Sequence, residues 1–167
     1  MASEEITKYG VLIADHTPHM ASLVGQMLRS LGRKDIREAF DATKALAELK
    51  RRAFDVLIID ADLDGLDGVA FTRKLRALVD NPNRDIPVIM MSAAPDAKRI
   101  AEARDAGVTE FLRKPFAASH LQSRLTNIEA NPRGFIEAPA YQGPDRRRKV
   151  VDVGGNDRRD AAKTKAS

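Results

Sequence analysis

The run Phe54-Asp55-Val56-Leu57-Ile58-Ile59-Asp60 constrains this chain more than any other stretch: an unbroken branched apolar tetrad leads straight into a carboxylate. A continuous apolar run too short for a helix reads as a strand buried on both faces, and such strands belong to parallel sheets covered by helices. In open α/β sheets, ligands bind outside the carboxyl ends of the strands, so Asp60 is expected to point into a site. The loop that follows, from Ala61 to Gly68, is rich in turn formers and adds Asp62, Asp64 and Asp67 to the same mouth.

The pattern recurs along the chain. Tyr9 to Asp15 is a second buried strand ending in an acid, Ile36 to Phe40 a short third, Ile86 to Met91 a fourth closing on Ser92, and Glu110 to Arg113 a last one before Lys114-Pro115-Phe116. Helices are expected between them. Pro18 suits a first helical turn, with an apolar stripe from Met20 through Leu31 and Gly32 as its stop. Asp41 is placed to cap the next helix. Val69 to Val79 runs as a helix to the breaker Asn81-Pro82-Asn83, a small polar helix from about Pro95 to Ala106 ends at Gly107, and a final one carries Leu121, Leu125 and Ile128. Five strands alternating with five helices predict an α/β fold with a doubly wound five-stranded parallel sheet.

The sheet would bring together Asp15, Asp60, Ser92 and Lys114 from four separate segments. Paired acids suit a divalent cation, and hard oxygen ligands favour Mg²⁺. A hydroxyl and an ammonium opposite them suit a phosphoryl group, with Asp60 as the nucleophile.

On these residues, together with Asp67-Gly68, Ala106-Gly107 and Phe111-Leu112-Arg113-Lys114-Pro115-Phe116, the chain resembles the CheY-like class of response regulator receiver domains over about residues 8–128. The resemblance implies a flavodoxin-like receiver fold and a phosphorelay function, as a single-domain regulator acting through protein contacts rather than as an enzyme. Asp60 would be the phosphoacceptor. Asp15, Asp60 and the backbone carbonyl of Asp62 would hold Mg²⁺, Ser92 would be the switch hydroxyl, Lys114 the phosphate-binding lysine with a cis bond to Pro115, and Phe111 the aromatic switch residue. The implied partners are a histidine kinase or phosphotransfer protein, and a target engaging the face formed by the fourth helix, last strand and last helix.

Two positions depart from the family pattern. The usual pair of adjacent acids is here Asp15-His16, which replaces an oxygen anion with an imidazole and should weaken Mg²⁺ binding. His16 itself is expected to be a solvent-facing loop residue rather than a ligand. Asp64 stands where the family often has proline and adds a carboxylate to the loop.

Residues 129–167 read as a flexible Arg-rich tail that carries +3 of the chain's net charge of +4. It contains a repeat: Gly143-Pro144-Asp145-Arg146-Arg147 recurs as Gly155-Asn156-Asp157-Arg158-Arg159. Neither copy is expected to serve a core. Arginine forks match phosphate and guanine edges, and Tyr141 offers a stacking surface. The tail is similar to the arginine-rich extension of the Cle group of CheY-like regulators, which implies cyclic di-GMP binding through Tyr141, Asp145, Arg146, Arg147, Asp157, Arg158 and Arg159, and action at the flagellar motor. A generic basic tail with loose anionic partners is the other reading, and one that orders would favour folding back onto the receiver surface. Nucleic acid is not expected, for want of a recognition fold. The polar amino terminus, the absence of any apolar run near the length of a membrane span, and the absence of cysteine lead to a cytoplasmic expectation without membrane insertion.

Overall fold

The computed structural model describes residues 10–138 and 140–146. Five parallel strands, β1 (Val11–Ala14), β2 (Ile36–Ala39), β3 (Val56–Asp60), β4 (Val88–Ser92) and β5 (Glu110–Arg113), form a sheet in the order β2-β1-β3-β4-β5. They are connected by α1 (Pro18–Ser30), α2 (Ala42–Arg51), α3 (Gly68–Arg76) and α4 (Ala97–Ala106), and α5 (Ala118–Ala130) follows β5. The doubly wound sheet and the element order expected from the sequence are both present.

Side-chain alternation splits the central strands between two cores. Leu12, Leu57, Ile59, Val88 and Met90 face α2, α3 and α4, where they meet Ala45, Leu49, Phe71, Leu75 and Ala103. Their neighbours Val11, Ile13, Val56, Ile58, Ile89 and Met91 face α1 and α5, against Val24, Leu28, Leu121 and Leu125. That double coverage is why β3 and β4 are apolar at nearly every position. Each such side chain contributes about 1.5–3 kcal/mol when fully buried.

Local chemistry sets the helix ends. Asp41 Oδ1 accepts from the Lys44 amide at 2.7 Å, Asp67 Oδ1 from Ala70 at 2.8 Å, and Asp96 Oδ1 from Arg99 at 2.7 Å, so three helices begin on a side-chain cap. Gly107 ends α4 in the left-handed region, at φ 103°. The helix expected through Val79 stops at Arg76, and Val79 is left exposed. At that end Arg76 turns inward: Nε and Nη2 donate to the Gly107 carbonyl at 3.2 and 2.8 Å, and Nη1 donates to the Arg84 and Ile86 carbonyls at 2.6 and 2.7 Å. Burial pushes its pKa down to about 10. The neighbouring breaker is equally structural, since buried Asn83 accepts from the Phe54 amide and donates to the Leu49 and Arg52 carbonyls, all at 2.7 Å.

The expectation of a flexible segment from residue 129 onward needs correction over its first part. Helix α5 continues to Ala130, and β6 (Phe135–Ala138) pairs with β7 (Tyr141–Pro144) as an antiparallel hairpin. The hairpin packs on the C-terminal ends of α3 and α4. Tyr141, Gly143 and Pro144 are buried, so the first copy of the Gly-x-Asp-Arg-Arg repeat does serve a core. Its glycine makes this possible: a Cβ on Gly143 would lie 2.8 Å from the Cα of Gly107. Arg84 stacks 4.9 Å from the Phe135 ring and pairs with Glu137 at 3.1 Å. The sequence reading missed the hairpin because its strands are too short to show a period. Arg147, Asp157, Arg158 and Arg159 lie outside the described residues.

Candidate functional site

A sheet ordered β2-β1-β3-β4-β5 reverses its winding direction between β1 and β3, and a crevice opens at the carboxyl ends of those strands. Asp15 follows β1 and Asp60 ends β3, which places both carboxylates there. Asp15 is fully buried and Asp60 is 3% exposed. Lys114, on the loop after β5, spans them: its Nζ donates to Asp15 Oδ2 at 3.1 Å and to Asp60 Oδ2 at 3.2 Å. The peptide bond from Lys114 to Pro115 is cis, as the resemblance implied.

The remaining bonds fix the two acids. Asp15 Oδ1 accepts from the Thr17 amide at 2.9 Å, and Asp60 Oδ1 from the Asp62 amide at 3.1 Å. Burial raises the pKa of Asp15, and the Asp60 charge raises it further; the Thr17 and Lys114 hydrogen bonds act in the other direction. Gly68 is required by the same crowding. A Cβ there would fall 2.6 Å from the Asp60 carbonyl oxygen, so a side chain would displace the end of β3.

His16 lies on an exposed loop, as expected, but its ring makes a contact that was not foreseen. Its side chain is 42% exposed, yet Nδ1 turns inward, 3.2 Å from Asp60 Oδ2 and 3.8 Å from Asp15 Oδ1. Asp15, His16 and Asp60 each offer a ligand atom, all within 4.8 Å of one another. Two hard carboxylates and one imidazole suit a divalent cation, with the imidazole the less favourable donor for the Mg²⁺ that the resemblance implies.

The three loop acids do not converge on this group. Asp62 pairs through Oδ1 with Arg99 of α4 at 3.1 Å, and Asp67 caps α3. The backbone carbonyl of Asp64 accepts from the Ala42 amide at 2.9 Å, which ties the loop to the start of α2. The added carboxylate of Asp64 is therefore not among the grouped ligand atoms of the described residues. The Arg99 pairing was not foreseen, since nothing in the sequence registers an arginine on α4 against an acid on a distant loop.

Ser92 is fully buried at the end of β4, and its Oγ accepts from the Ala94 amide at 3.3 Å. Half-buried Phe111 lies on β5, where the ladder pairs it with Met90. Ser92 and Phe111 line one cavity of about 390 Å³ between β4, α3 and α4, together with Arg73 and Arg99. The hydroxyl and the ring thus share one space, bounded by α3 and α4. Tyr141, Asp145 and Arg146 lie elsewhere, on and just after the hairpin at the opposite ends of the strands. Arg146 stacks 4.4 Å from the Tyr141 ring and pairs with Asp105 of α4 at 2.7 Å.

Known proteins resemble this chain in sequence and in fold. The family model for the response regulator receiver domain matches residues 11–126. Chemotaxis protein CheY-3 of Vibrio cholerae is 35% identical over 118 residues, covering 71% of this chain and 89% of that one. Chemotaxis protein CheY of Pseudomonas aeruginosa is 35% identical over 118 residues, covering 71% and 94%. Among solved structures, the receiver domain of a Pseudomonas aeruginosa sensor histidine kinase, with a magnesium ion coordinated in its active site cleft, superposes with a TM-score of 0.65 at 29% identity, covering 73% and 98%. Vibrio cholerae CheY4 superposes with a TM-score of 0.66 at 25% identity, covering 72% and 98%. With a buried acid at the end of β3, a second acid after β1, a lysine spanning both, and relatives of this kind over the whole sheet, the chain belongs to the response regulator receiver domain family, as a CheY-like regulator of two-component signalling.

Proposed function

We propose that this regulator is switched by phosphorylation of Asp60. The single observation that carries the reading is the Lys114 ammonium held by Asp15 and Asp60 at 3.1 and 3.2 Å in a buried crevice. A carboxylate oxygen of Asp60 attacks the phosphorus of a donor. The new O–P bond forms as the bond to the donor's leaving group breaks, and that group departs with the electron pair. Lys114 pairs with the charge of the resulting acyl phosphate, and the Ser92 hydroxyl donates to one of its oxygens once it swings from the Ala94 amide. Asp15, Asp60 and the Asp62 carbonyl would hold Mg²⁺, which neutralises phosphoryl oxygen charge when bound.

The switch then runs through the cavity that Ser92 shares with Phe111. Movement of the hydroxyl towards the phosphoryl group vacates space beside β4, and Phe111 turns into it. The surface of α4, β5 and α5 is thereby re-shaped for a target protein, with a histidine kinase or phosphotransfer protein as the phosphate source. The similar chemotaxis proteins favour a motility target such as the flagellar motor. The test is labelling with acetyl phosphate and a divalent cation: wild type takes up one phosphoryl group and Asp60→Asn takes up none. Persistent labelling of the variant refutes the assignment.

A second reading takes cyclic di-GMP as the input, captured by Tyr141, Asp145, Arg146, Arg147, Asp157, Arg158 and Arg159. The observation that bears on it is the Arg146–Tyr141 stack, which holds a half-exposed guanidinium over a buried ring on the folded body. Calorimetric titration of the nucleotide into the full chain tests it, with saturable heat in wild type and its loss in Arg146→Ala as the expected outcome. No saturable heat refutes it.

A further inference from the structure

The inward turn of His16 has a consequence for which metal the crevice selects. A loop histidine with no role in the site would direct its polar edge to solvent, which its 42% exposure allows. Instead Nδ1 lies 3.2 Å from Asp60 Oδ2 and 3.8 Å from Asp15 Oδ1. We propose that His16 Nδ1 is a metal ligand together with Asp15 and Asp60, and that this mixed nitrogen and oxygen set selects a first-row transition metal ion over Mg²⁺.

The chemistry of the donors sets the preference. Magnesium keeps its waters and takes oxygen ligands in strict octahedral geometry, so an imidazole in place of a carboxylate removes both charge and a preferred donor. Manganese, cobalt, nickel and zinc accept imidazole readily, and their affinity for mixed sites rises along that part of the series before falling slightly at zinc. The ligand atoms of Asp15, His16 and Asp60 lie within 4.8 Å of one another, close enough for one ion to bridge them. Asp15 and Asp60 accept hydrogen bonds from Thr17, Asp62 and Lys114, and His16 Nδ1 lies at hydrogen-bond distance from Asp60 Oδ2, a contact that coordination would replace; a carboxylate offers about four lone-pair positions. Coordination would use the Nδ1 lone pair, with the ring proton on Nε2. Charge also favours the ion: two carboxylates and one ammonium leave a single negative charge, and a divalent ion makes the crevice positive, suited to an incoming phosphoryl anion.

The inference rests on the metal site of the phosphoacceptor reading but has its own readout. The full chain, free of metal, is titrated separately with Co²⁺ and Mg²⁺, followed by calorimetry and by the visible absorption of bound Co²⁺. Wild type should bind Co²⁺ more tightly than Mg²⁺. His16→Ala should weaken Co²⁺ on the order of 10- to 100-fold, the loss that removal of even an outer-shell partner commonly produces. Mg²⁺ binding should change little. His16→Asp should tighten Mg²⁺ and narrow the difference between the ions. His16 is a partly exposed loop residue, so both variants should keep the wild-type melting temperature. Wild-type Co²⁺ affinity and spectrum in His16→Ala would overturn the proposal. Labelling of Asp60 separates the two claims: lost labelling with an intact Co²⁺ site defeats the phosphoacceptor reading alone, whereas intact labelling with a His16-independent Co²⁺ site defeats this one alone.

Discussion

The Lys114 ammonium stands 3.2 Å from Asp60 Oδ2, although 54 residues separate them in the chain. Parallel strands create that meeting, because their carboxyl ends converge whatever the sequence distance. Lys114→Met should slow labelling of Asp60 by on the order of 10²-fold, the usual cost of one lost donor to a developing anion. Divalent affinity should rise in the same variant, since a cation beside both carboxylates has gone. Opposite movement of these two readouts distinguishes a lost charge from a damaged fold.

Asp15 supplies a prediction about pH. Burial holds its carboxyl above the ordinary aspartate range, so the folded protein binds this proton more tightly than the unfolded chain does. Above the unfolded value of about 3.9, stability should fall as the pH rises through the raised folded value, and then level off. Asp15→Asn removes that fall. Urea unfolding without divalent ions should therefore show the variant gaining on wild type between pH 4 and 7. A constant difference across that range would show that Asp15 ionises equally in both states.

The hairpin is predicted to be part of the folded body rather than an ornament on it. Arg76 satisfies three carbonyls beside it, and Arg76→Met would leave the Gly107, Arg84 and Ile86 oxygens without that donor, at a cost of roughly 3 kcal/mol or more. Gly143→Val forces a branched side chain against Gly107 and should cost about 1–3 kcal/mol through overpacking. Both should lower the melting temperature and raise hydrogen exchange at the end of α4. Unchanged exchange there would mean that the hairpin and α4 are not mechanically joined.

The parts of the molecule that were legible are those governed by strand ends and caps. Asp15, Asp60, Ser92 and Lys114 could be grouped because each follows a recognisable apolar strand, and Asp41 could be assigned as a cap from its place before an amphipathic run. What escaped depends on side-chain direction. Nothing in the order of residues says that His16 turns inward, that Arg99 reaches Asp62, or that Arg76 is buried rather than solvated in a last helical turn. The hairpin escaped for a related reason: four-residue strands with Gly143 and Pro144 among them resemble a polar linker until Gly107 is seen opposite.

The most direct test of the central claim locates the acyl phosphate itself. Wild-type protein phosphorylated by acetyl phosphate is treated with borohydride, which reduces an aspartyl phosphate to homoserine, and the peptides are mapped. Homoserine at position 60 alone is the predicted result. Homoserine at Asp15 or any other acid, or none at all in protein that has taken up phosphate, would contradict it.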